Sequence, residues 1–179
     1  FLHILVNTAV ANLTTAYLWF ALTFWVYLET QNVMATGIIG GAFMLLIALF
    51  SMGVGTIVDN HRKKVVFVFS AAVTAVMFTL AGLAYLWLPT ERILNIGGWE
   101  FWLFCLVILL GAIVEQMRSI ALSTTVTLLI PVERHANANG LVGTVQGMAF
   151  IVTSVFSGLS IGLLGMGWTL IIAIVLVVL

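Results

Sequence analysis

Two ionisable residues sit where a chain this apolar can least accommodate them. Glu115 and Arg118 are three residues apart inside the apolar run 101–130. On a helix that spacing puts both on one face. A charge at mid-bilayer depth costs on the order of 2.5–3.5 kcal/mol on insertion scales, so such residues face protein or water rather than lipid. An acid held there can bind and release a proton or recognise a cation, with Arg118 tuning it. The alternative is a structural ion pair that ties this helix to a neighbour. Gln116, about 100° round the same helix, reads as a helix-packing contact.

Two further groups carry chemical potential. Thr8, Asn12, Thr15, Trp19 and Thr23 are spaced by steps that keep them on one helix face. An amide and an indole on one face suit a cavity for a bulky, partly apolar solute. Interhelical hydrogen bonding by the Asn and Thr side chains is the competing use. Gln146 is a further cavity candidate. The second group is the short polar stretch with Gly55, Asp59, Arg62, Lys63 and Lys64, which holds one acid and three of the six Lys/Arg residues.

The elements that position these residues follow from composition. The chain is 63% hydrophobic and 7% charged, whereas soluble domains carry about 25% charged residues. A helix needs ~20 apolar residues to cross ~30 Å of hydrocarbon. The runs are 2–28, 33–58, 65–88, 101–130, 140–164 and 168–179. The expected fold is therefore all-α, a polytopic membrane protein of six transmembrane helices. The last run, at ~18 Å, is too short to span and reads as truncated. Pro89 and the pair Gly97 and Gly98 break a polar loop at 89–100, Pro131 ends the fourth run, and Gly165-Met-Gly167 reads as a tight turn. Glycines in the second and fifth runs would allow close helix approach.

Loop charge orients the chain. Arg62, Lys63, Lys64 and Arg134 fall on one side and Arg92 alone on the other, so the positive-inside rule puts the 59–64 and 132–139 loops and the N-terminus in the cytoplasm. Trp25, Trp87, Trp99, Trp102, Trp168, Tyr27 and Tyr85 gather at the opposite helix ends, as an interfacial belt does.

Several functions find no residues to perform them. Acids and bases balance at six each, so nothing suggests nucleic acid. No Gly-rich phosphate loop, catalytic cluster or intramembrane lysine is present, so neither an enzyme nor a cofactor is expected. His3, His61 and His135 are isolated, and Cys105, the one cysteine, reads as a packed side chain. No metal site is expected.

The polar stretch between the second and third runs resembles the loop motif of major facilitator superfamily transporters. That motif is a glycine, three residues, an aspartate, a base, any residue, a glycine and two bases. Gly55, Asp59, Lys63 and Lys64 match; Asn60 replaces a base and Arg62 a glycine. In the fifth run, Ser154, Gly158 and Gly162 are similar to part of that superfamily's antiporter motif, with Leu159 and Leu163 where a proline and a glycine are usual. The chain looks most like drug- and siderophore-exporter members in the bacterial plasma membrane. The resemblance implies the N-terminal half of such a fold, completed by a C-terminal half beyond Leu179. It implies alternating access, a small amphipathic or cationic solute, protons as the coupling ion, and a gating role for Asp59 through nearby charges and helix ends. An uptake symporter of the same fold and a non-transporting membrane scaffold are the other readings.

Overall fold

The computed structural model describes residues 2–129 and 135–178. Side chains at 2–5, 7, 8, 11, 15, 122–129, 135, 136, 138 and 139 lie outside that description. The described residues form helices α1 (Leu2–Thr30), α2 (Val33–Asn60), α3 (Lys63–Trp87), α4 (Thr90–Ile93), α5 (Trp99–Leu129) and α6 (His135–Val178). Among the described residues, four stretches are long and apolar enough to cross a membrane: Val33–Asn60, Lys63–Trp87, Trp99–Ala121 and Gly140–Val178. The count differs from six for two reasons. α1 is described only in part, and the last two runs form one helical element.

The joint in that element is Gly165, at φ 78° and ψ 176°. That left-handed angle suits a residue without Cβ. No separate loop follows, so the expected three-residue turn is a single-residue break. Contacts on its two sides run in opposite senses along α1. Before the break, Phe150 packs on Phe20 and Gly158 on Phe24. After it, Thr169 lies beside Tyr17, and the Leu176 carbonyl accepts from Thr14 at 3.4 Å. The segment therefore folds back on itself against α1.

Local signals set the other ends. Asn32 caps α2 by accepting from the Ala35 N–H at 3.0 Å. The expected polar loop at 89–100 contains the single turn α4, because Ile93 is apolar and buries itself in the core. The core lies where α1, α3, α5 and α6 meet, around Tyr17, Leu22, Phe78, Phe101, Ile108 and Leu170. Cys105 is buried within it.

One aromatic expectation is corrected. Trp25 is 2% exposed and packs edge-on against Tyr85 and Phe104, so it belongs to the core rather than to a lipid-facing belt. Trp87, Trp99 and Trp168 are exposed. The glycine expectation also narrows. A Cβ at Gly37, Gly40, Gly41, Gly53, Gly55, Gly140, Gly143, Gly147 or Gly162 would meet nothing within 4 Å. The tight approach is at Gly111, where a Cβ would stand 2.6 Å from the Phe78 ring. There α3 and α5 come close enough for Thr74 to donate to the Gly111 carbonyl at 3.1 Å.

Candidate functional site

A cleft of about 200 Å³ opens between α1, α2, α5 and α6. Asn12 and Trp19 reach it from one face of α1, seven residues apart. α2 contributes Phe43 and Ile47, α5 contributes Gln116, and α6 contributes Gln146 and Phe150. The Trp19 ring stacks on Phe43, with centroids 5.0 Å apart and planes 21° from parallel. This contact fixes the indole against α2, and its enclosed Nε1–H has no hydrogen-bond partner among the described residues. Among the described residues, no charged side chain lines the cleft.

The structure thus brings together three residues singled out by sequence, Asn12, Trp19 and Gln146. It adds Gln116, which the sequence reading assigned to packing. The available signal was its place on α5, turned away from the ion-pair face. The Thr15 side chain lies outside the described residues. The Thr23 hydroxyl donates to the Trp19 carbonyl at 2.9 Å and so is engaged within its own helix.

Glu115 and Arg118 share a face, as their spacing predicts, but that face is not the cleft's. Glu115 is fully buried, and Arg118 Nη1 lies 3.4 Å from its Oε1. This is an ion contact rather than a hydrogen bond: neither carboxylate oxygen has a hydrogen-bond partner among the described residues. Thr74 of α3 is beside the carboxyl, but its hydroxyl is given to Gly111. Arg118 Nη1 also donates to the Val177 carbonyl at 3.3 Å. The pair therefore links α5 to α3 and to the folded-back limb of α6. A buried carboxylate with one cation and no hydrogen bonds is poorly compensated. Such a group is suited to changing its proton occupancy when its surroundings move.

A second, smaller cleft of about 110 Å³ continues from the first between α2 and α5. The two share Ile47 and Gln116, and the second is otherwise lined mainly by Phe50, Val54, Ile113 and Ile120. It runs toward the α2–α3 junction.

At that junction Lys63 does the tying. Its Nζ donates to the Val58 carbonyl at 2.7 Å and lies 3.8 Å from Asp59 Oδ1. A cation on the last carbonyls of α2 satisfies an orphan acceptor and complements the helix dipole. The Asp59 side chain is 69% exposed, so its one long contact is worth little by itself. Arg62 and Lys64 are exposed, and Gly55 has open space around its Cα. Of the fifth-run glycines, Gly158 packs on the Phe24 ring and Gly162 meets nothing.

Comparison with known proteins bears on what this arrangement is for. A sequence model described as the Major Facilitator Superfamily matches residues 4–179. No curated protein and no solved structure gives a significant match.

Proposed function

The chain belongs to the major facilitator superfamily, and from that premise we propose that this membrane transporter exports a small amphipathic, drug-like solute in exchange for protons. The observation that carries the reading is the separation of two sites in one helical layer. A neutral cleft at Asn12, Trp19, Gln116 and Gln146 holds solute. A buried acid, Glu115, carries the proton on another face of α5, about 100° round the helix from Gln116. Both lie on α5, so movement of that helix changes both environments at once. In alternating access, rocking of helices around a midplane site exposes it first to one side and then to the other. The Gly55–Lys64 segment gates the cytoplasmic end. Lys63 bridges the end of α2 and Asp59 in one conformation and releases them in the other.

Asp59→Asn tests the gate. The exposed carboxylate contributes little to folding, so membrane insertion and melting temperature should stay near those of wild type. Accumulation of an amphipathic dye by everted vesicles should fall by about tenfold or more, a loss of roughly 1.4 kcal/mol in the driven step. Unchanged accumulation would return the segment to a purely topological role.

The membrane is the bacterial plasma membrane, with the N-terminus and the Asp59 loop in the cytoplasm, a reading supported by loop charge. Asn95 and Asn137 are both exposed, so cysteines there report sidedness. With Cys105 replaced, a cysteine at position 95 should react with an impermeant thiol reagent outside intact cells. One at position 137 should not. The reverse pattern overturns the orientation.

A further inference from the structure

A groove of about 210 Å³ runs between the ends of α3 and α5 that meet the 89–100 segment. Leu80, Ala84 and Leu88 recur every four residues along α3, and Trp99, Leu103 and Val107 do the same along α5. Each set forms one stripe on its helix, and the two stripes face each other across the groove. Eight residues of helix span ~12 Å, most of the ~15 Å of hydrocarbon in one leaflet. The mouth is at the polar end. Trp87 and Trp99 there are 84% and 70% exposed, as aromatic side chains at a bilayer interface are. Glu100 stands beside Trp99 and is the charged residue of the lining. Its Oε2 lies over the 95–98 turn, 3.1 Å from where a Cβ at Gly98 would stand. Among the described residues this carboxylate is in no ion pair. The Trp102 indole is already engaged, donating to the Ile96 carbonyl at 2.8 Å.

We propose that this groove binds a phospholipid with a primary ammonium headgroup, drawn from the leaflet that meets the 89–100 segment. One acyl chain lies between the α3 and α5 stripes, and the ammonium rests on the Glu100 carboxylate. The apolar walls favour the chain in proportion to the methylenes it buries. At headgroup depth the acid supplies the complementary charge, and an ammonium brings three donors to it. An anionic headgroup would set like charge against the carboxylate. The Trp99 indole, a donor only, stands where a lipid phosphate or ester oxygen can accept from it. An apolar protein surface laid over the groove would bury the carboxylate unpaired, at high cost. A lipid keeps its headgroup in water and avoids that cost. The groove shares no lining residue with the Asn12–Gln146 cleft, so its occupancy is independent of what that cleft holds.

The test uses the protein that carries this sequence, purified in nanodiscs containing a phosphatidylethanolamine with a mid-chain diazirine. Cross-links are mapped by mass spectrometry. Labelling should concentrate on Ala84, Leu103 and Val107 relative to exposed residues elsewhere, such as Leu45 and Val155. Unlabelled phosphatidylethanolamine should displace the probe about three- to fivefold more effectively than phosphatidylglycerol with the same chains, the effect of one partly exposed ion pair. Glu100→Gln should abolish that preference, and Glu100→Lys should reverse it. Ala84→Leu keeps helix propensity and fills the groove. It should remove labelling there while labelling at Leu45 and Val155 persists, which separates a filled groove from a misfolded protein. Even labelling over the whole lipid-facing surface would reduce the groove to ordinary lipid contact and overturn the site. Labelling elsewhere with none in the groove would show that protein covers it, and overturns the site as well. Equal displacement by the two lipids, or a preference that survives Glu100→Gln, overturns the ammonium assignment.

Discussion

Glu115→Gln is expected to abolish export driven by a pH gradient while leaving exchange of solute for solute near its wild-type rate. The carboxyl is fully enclosed, 3.4 Å from Arg118, and without a hydrogen bond among the described residues. Glutamine keeps its size and its place beside Thr74 but cannot take up or release a proton. The cleft proposed to hold solute lies on another face of α5 and does not include this side chain, so solute affinity should change by less than about twofold. Exchange needs only that the loaded protein change conformation. Net export against a gradient also needs the return step to be tied to a proton. Separate assays of the two modes in proteoliposomes therefore distinguish a coupling group from a packing group. Normal pH-driven export by the variant would make the pair structural. Loss of both modes would mean that Glu115 is needed for the conformational change itself.

The part of this arrangement that could be read from sequence is the part set by local rules. The helix ends at 30–33 and 60–63 lie at the short polar interruptions that separate the apolar runs 2–28, 33–58 and 65–88. The i, i+3 spacing of Glu115 and Arg118 put them on one face, because that depends only on helical pitch. What lies opposite that face was not legible. Thr74 and the folded-back limb of α6 are distant in sequence, and only tertiary packing brings them to α5. The same limit explains Trp25. An aromatic residue at a helix end looks alike whether it meets lipid headgroups or, as here, Tyr85 and Phe104. It also explains Gln116, whose neighbours Asn12 and Gln146 belong to other helices. Glycine spacing was the weakest guide. Small residues permit close approach but do not require it, and Gly111, outside the runs singled out for their glycines, makes the tight contact.

Arg118→Ala is the substitution that should cost most in stability. It removes the only cation in contact with a carboxylate that has no other compensation among the described residues. Breaking a buried pair from one side typically costs about 3–5 kcal/mol, because the remaining charge stays desolvated and unpaired. The variant should therefore melt well below wild type in detergent or nanodiscs and insert less efficiently. Removing the stranded charge as well should recover most of the loss. In Arg118→Ala combined with Glu115→Gln, an uncharged amide replaces the carboxylate, and burying it costs far less than burying an ion. Recovery should stop short of wild type. Arg118 also donates to the Val177 carbonyl, and a charged hydrogen bond of this kind is worth about 1.5–3 kcal/mol. The ordering of melting temperatures is then wild type, double variant, Arg118→Ala. This ordering tests the electrostatic account independently of any transport assay. If the double variant were no more stable than Arg118→Ala, Arg118 would be holding the fold through its stem and its hold on α6, and the charge on Glu115 would be incidental to its placement.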